Sequence, residues 1–336
     1  MNLMTRISVV FATVLVLFSS LAANAVLNMG SKTIFSGTVI EVLEPGPDLQ
    51  GIIDNITDAS ATKPYLIHLG AGVYDLGSTQ IEMKEYISLK GSGQHATTIT
   101  SAVIGTDGLF TGAVVRVKDN TSLTDMTIKN TGGGTHSMGV YVENASPRIE
   151  RITVDVSGGT NRNIGIKNVT ASTIMMNITA TASGNTNTRG VVNDVSSSTI
   201  MIDITASASG GTESNFGVLN KDSSSATMIN VTATGSGGTF GRGVYFVDNS
   251  SGTMVGVSAT GSGGSTNSFG VFSTVSSSPF IQDSILTGDT KGLRILSDSP
   301  GTRVVNSKII GGALNDATVG TQCLGNYDAN LANVSC

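Results

Sequence analysis

The sequence predicts an all-β fold, a right-handed parallel β-helix with an N-terminal cap and a disulfide-closed C-terminal tail. Three observations carry that reading. A glycine followed by an aliphatic residue recurs at Gly139-Val140, Gly165-Ile166, Gly190-Val191, Gly217-Val218, Gly243-Val244, Gly270-Val271 and Gly292-Leu293, in steps of 26, 25, 27, 26, 27 and 22 residues. A second string keeps phase with it: Ile152-Thr153-Val154-Asp155, Ile178-Thr179-Ala180-Thr181, Ile204-Thr205-Ala206-Ser207, Val231-Thr232-Ala233-Thr234 and Val257-Ser258-Ala259-Thr260. No repeat holds an apolar stripe of helical length, so each consists of short strands of period two, split by Gly, Ser and Asn turns. Flat coils of this kind bury their apolar columns only by stacking, at about 4.8 Å per coil.

Composition narrows the function classes. Charged residues make up 13% of 336, and the net charge is −5. That excludes nucleic acid as a partner, because such binding rests on clustered Lys and Arg. Three histidines are too few for a zinc site of the usual kind.

At the N-terminus, Arg6 precedes a nearly unbroken apolar run from Ile7 to Leu21, and Ala23-Asn24-Ala25 fits a small-x-small cleavage site. Residues 1–25 therefore read as a signal peptide and the chain as secreted, with no membrane span after cleavage. Residues 26–50, with Pro45 and Pro47, are expected to cap the open end of the stack, because terminal coils expose core and strand edges. The solenoid is expected over 51–312 and a tail over 313–336, where Cys323 and Cys336 form a disulfide.

The opening coils carry a resemblance. Lys63-Pro64-Tyr65-Leu66-Ile67-His68-Leu69-Gly70-Ala71-Gly72-Val73-Tyr74 is followed by Ile87-Ser88-Leu89-Lys90-Gly91-Ser92-Gly93 and Thr97-Thr98-Ile99. This order of strand, x-Gly-x-Tyr, strand, Gly-x-Gly and Thr-x-Ile resembles the start of the pectin-lyase-like superfamily over residues 63–103. The resemblance implies the β-helix fold. It implies no single activity, since that superfamily holds lyases, hydrolases, esterases, adhesins and phage spikes. Its catalytic patterns are not matched: Thr135-His136-Ser137-Met138-Gly139 is not a Gly-His-Gly, and neither an acidic calcium cluster nor the paired Asp of the esterases is found. His68, Tyr74 and Tyr86 read as structural or surface residues.

The repeat assigns faces. The aliphatic residue after each glycine points inward, as do Ile152, Ile178, Ile204, Val231 and Val257. Asn168, Asn193 and Asn220 share one register, where stacked amides can hydrogen-bond as a ladder. Outward, the register brings Asp125 to Arg151 and Lys129 to Asp155, a cluster suited to proton abstraction from a uronic acid or simply to cross-coil ion pairing. Thr153, Thr179, Thr205, Thr232 and Ser258 form a second outward column, with Asp155, Thr181, Ser207, Thr234 and Thr260 two residues further on, Ser207 and Ser258 lacking the methyl. Such a lattice of hydroxyls and methyls suits an ice-binding face as well as a plain soluble strand surface. Tyr141, Tyr245 and Phe272 form a third outward column, expected either to stack on sugar rings or to lie under a covering segment.

These readings predict a secreted or cell-surface β-helix, non-catalytic, presenting a polar face to polysaccharide or another envelope component. The alternatives are a pectin-lyase-like enzyme acting on acidic polysaccharide at Asp125, Arg151, Lys129 and Asp155, and an ice-binding protein. No cofactor is expected, calcium entering only under the lyase reading.

Overall fold

The computed structural model describes residues 36–46, 48–106, 112–299, 301–315 and 321–334. The expected signal peptide, residues 26–35 of the expected cap, and Cys336 lie outside the described residues. The chain from Thr38 onward is an all-β parallel solenoid.

One coil illustrates all. Arg162–Val169 forms a strand in a sheet of ten parallel strands, the broad face. The chain turns at Thr170, which sits at φ 49°. It continues as Ile174–Ser183, bends at Asn177 (φ 53°), and returns through Gly184. The bend splits this second strand into a short limb before it and a long limb after it. Stacking is in register: Ile152 pairs with Ile178 and Ile178 with Ile204. Val154, Ala180, Ala206, Ala233 and Ala259 align in the next inward column. Parallel pairing begins at Thr38–Val42 against Tyr65–Leu69 and is still present at Gln322–Leu324 against Arg303–Val305. One apolar cluster runs through the interior from Val42 to Ile309. The single described helix, Leu49–Asn55, adds Leu49 and Ile53 to that cluster near its N-terminal end.

The bend column has a compositional cause of its own. Asp125, Arg151, Asn177, Asp203, Asn230, Gly256, Asp283, Asn306 and Gly325 all have positive φ, between 49° and 68°. Asn, Asp and Gly tolerate this left-handed region, and other residues occupy it at a cost. Arg151, at φ 51°, is the one member of another type.

The inward alanines are small for a reason. The Gly column of the broad face lies directly opposite them, and the coil is thinnest there. A Cβ on Gly217 would stand 2.5 Å from Thr234 N and 2.8 Å from the carbonyl carbon of Ala233.

The asparagine ladder forms as expected. Asn168 Nδ2 donates to Asn193 Oδ1 at 3.1 Å, Asn193 Nδ2 to Asn220 Oδ1 at 2.8 Å, and Thr173 Oγ1 to Asn168 Oδ1 at 2.8 Å. All three asparagines are fully buried. Asn193→Ala leaves a donor and an acceptor unpaired in a dry interior, and is expected to cost about 2–4 kcal/mol. Chemical denaturation measures it; a loss below about 1 kcal/mol would show that water replaces the amide.

At the other end, Cys323 pairs in register with Val304 and packs partly buried on the core, while its expected partner Cys336 is not among the described residues.

Candidate functional site

Three surfaces gather the residues singled out from the sequence. The first is a polar trough on the opening coils. In-register pairing stacks Glu41 on His68, His68 on Lys90, Lys90 on Thr124 and Thr124 on Glu150, all outward at the end of the short limb. Around the bend from this ladder stand Asp125 and Arg151. His68, Lys90, Gly91, Ser92 and Asp125 line a shallow pocket of about 430 Å³.

The expected cross-coil pairs are present. Arg151 grips Asp125 with a two-pronged fork, Nε to Oδ1 at 2.6 Å and Nη2 to Oδ2 at 3.0 Å, which raises the guanidinium pKa. Arg151 also contacts Glu150, which in turn accepts from Arg148 Nε at 2.8 Å. Lys129 and Asp155 approach to 3.8 Å, both about half exposed, a pair worth little in water. The structure therefore joins Asp125 with Arg151 and Lys129 with Asp155 as two separate pairs. The fork also accounts for the strained backbone of Arg151, since it holds the side chain across the bend.

His68, expected as a structural or surface residue, stands part-exposed on this trough. Its Nδ1 donates to Glu41 Oε2 at 2.7 Å, which orients the ring at the pocket wall. Lys90 lines the same pocket and makes no ion pair among the described residues. The sequence signal for this group was weak. Glu41, His68 and Lys90 come from irregular opening coils, outside the stretch with a steady period.

The second surface is the long limb. Thr153, Thr179, Thr205, Thr232 and Ser258 align as one outward column, and Asp155, Thr181, Ser207, Thr234 and Thr260 as the next. The structure adds a third column: Ser183, Ser209, Ser236 and Ser262 align beyond them. Four successive coils, from the Thr179 coil to the Ser258 coil, thus present a charge-free lattice of hydroxyls three columns wide. None of these side chains hydrogen-bonds to the described protein, whereas buried hydroxyls such as Ser197, Ser250 and Thr302 do.

The third surface is the outer side of the broad face. Tyr141 is 1% exposed and lies beneath Arg116, whose guanidinium carbon is 5.3 Å from the ring centre. Burial, seconded by Glu143, pushes the Tyr141 hydroxyl pKa upward. Tyr245 and Phe272 stack with centroids 5.2 Å apart, and Arg242 stands 4.2 and 4.5 Å from their rings. Burial lowers the pKa of Arg242, and burial together with Arg162 lowers that of Arg189 to about 10. These rings, expected either to stack on sugar or to lie under a covering segment, are engaged with arginines of this chain.

Beside them lies an ionic group not anticipated from the sequence. Asp194 Oδ2 is 3.0 Å from Lys167 Nζ, and Oδ1 is 2.9 Å from Lys221 Nζ. Asp194 and Lys167 are nearly buried. Burial lowers the Lys167 pKa. Burial alone raises Asp194, but the Lys221 hydrogen bond and the Lys167 charge outweigh it and hold the carboxyl below its usual range. The signal was present as Lys, Asp and Lys at steps of 27 residues, close to one coil each.

Among the described residues no group of three or more His, Cys, Asp or Glu is placed to hold a metal ion, and no helix is long and apolar enough to cross a membrane. No protein-family model and no curated protein matches the sequence. Solved structures share the architecture. The A-module of the Azotobacter vinelandii mannuronan C-5 epimerase AlgE6 aligns at 15% identity and TM-score 0.51, over 83% of this chain and 88% of that one. The Dettilon tailspike protein aligns at 12% identity and TM-score 0.57, over 87% of this chain and 61% of that one. A pectin methylesterase from carrot aligns at 15% identity and TM-score 0.42, over 90% and 86%. The epimerase module and the tailspike, with TM-scores above 0.5, show the fold alone at these identities, and the chemistry is left to the residues.

Proposed function

We propose that this chain, a right-handed parallel β-helix of the pectin-lyase-like fold, is a secreted or cell-surface protein that binds a polysaccharide of its surroundings without transforming it. The observation that carries the reading is the state of the charged cluster. Asp125, Arg151, Glu150 and Arg148 are bonded to one another, so neither Asp125 nor Glu150 is left as a free base. The pocket beside them offers Lys90 and His68 Nε2, groups that suit sugar hydroxyls.

One observation favours enzymatic action as a second reading. A carboxylate-held imidazole with a free Nε2, as in Glu41–His68, is the arrangement of a general base, and the strained Arg151 stands beside the same pocket.

Incubating the chain with a panel of neutral and acidic polysaccharides, with and without calcium, tests both readings. Binding without product is the expected result, with Lys90→Ala weakening it roughly tenfold or more, as loss of a charge-assisted hydrogen bond does. Product formation that vanishes in His68→Gln would establish the enzyme reading instead. Absence of binding to every polymer would end the proposal.

A further inference from the structure

We infer that the hydroxyl lattice of the long limb is an ice-binding face, a function separate from the polysaccharide pocket. The lattice is regular for reasons on the chain itself. Each of its rows ends directly at a glycine turn, Gly184, Gly210, Gly237 or Gly263, all at positive φ, so no side chain overhangs the edge. Its inward neighbours are small, Ala180, Ala206, Ala233 and Ala259 in one column and Ala182, Ala208, Gly235 and Gly261 in the next, and the coils stack in register. Six of its twelve positions are threonine, stiff about χ1, so their hydroxyls and methyls occupy fixed sites, and the other six are serine.

The repeat is of the right size. Coils follow one another at about 4.8 Å, and outward side chains along a strand at about 6.7 Å. Oxygens hydrogen-bonded about 2.75 Å apart in a tetrahedral network place second neighbours roughly 4.5 Å apart. A column such as Thr179-Thr205-Thr232 therefore runs nearly in step with the oxygens of ice, and its methyl groups fill the gaps between them. The face is neutral, as is the ice lattice.

A hydrated polysaccharide is the poorer occupant. This surface offers no aromatic platform and no charged or two-pronged donor. The lattice is also bounded. On one side Asp155 interrupts it, and the loop through Gly93 and Gln94 lies against Asp125 and Asn177. On the other side stand Ile285 and Asp289. Charge and bulk are thus confined to its borders.

Thermal hysteresis and inhibition of ice recrystallisation, measured on the full chain, test the inference. The expected result is activity in both assays that is lost in Thr205→Lys and in Thr234→Lys, with melting temperatures unchanged. Lys90→Ala, in the pocket, is expected to keep full ice activity, so failure of the pocket reading and failure of this one are distinguishable. Neither hysteresis nor recrystallisation inhibition in the unaltered chain would overturn the inference. So would full activity in a folded Thr205→Lys, or retention on crystalline cellulose or chitin through this face without hysteresis. Should the lysine variants fail to fold, Thr205→Gly and Thr234→Gly remove methyl and hydroxyl together, and retained ice activity there would overturn it equally.

Discussion

Asp194→Ala is expected to destabilise the protein by about 3–5 kcal/mol at neutral pH, the cost of breaking a buried ion pair by removing one partner. Lys167 is nearly buried and Lys221 partly so, and both face this carboxylate at 3.0 Å or less. Without Asp194 the broad face would hold like charges on neighbouring coils in a poorly solvated place. The effect has a pH signature. The folded Asp194 pKa lies below the ordinary 3.8, so its stabilisation is fully present above that value and is lost as pH falls through the folded pKa. Urea denaturation at pH 7 and again below pH 3 checks this: the gap between Asp194→Ala and the unaltered chain should narrow in acid. A gap that stays constant across that range would show that packing, not charge, sets the cost.

Gly217→Ala is expected to destabilise by about 3 kcal/mol or more, at or beyond the upper end for overpacking a core. The added Cβ would meet Thr234 N at 2.5 Å and a Gly243 carbonyl oxygen at 2.8 Å, backbone atoms that cannot rotate away. Gly133→Ala is the control, since a Cβ there meets nothing within 4 Å. A thermal midpoint for Gly217→Ala equal to that control would mean the coil widens freely, which would also remove the reason offered for the alanine column.

The coil period was legible because every coil solves one packing problem with one residue pattern. Gly-aliphatic pairs and Ile-Thr strings therefore repeat, and with them the register of Asp125 on Arg151, of the asparagine ladder and of the threonine columns. The left-handed bend column was also written in the chain, as an Asn, Asp or Gly before most Ile-Thr or Val-Thr strings. It escaped notice because its residue types vary while its backbone angle does not.

The sequence by itself determined the fold class, the inward columns and the register of the stacked coils, because in a solenoid the neighbours of a residue lie one period away. Only the tertiary structure decided the pocket and the fate of the aromatic column. Glu41, His68, Lys90 and Asp125 belong to opening coils of unequal length, so no period relates them and their meeting depends on how each loop is wound. Tyr245 and Phe272 alternate outward like the threonines, yet they are engaged by Arg242, because burial depends on what packs across a face and alternation shows only the side a residue is on.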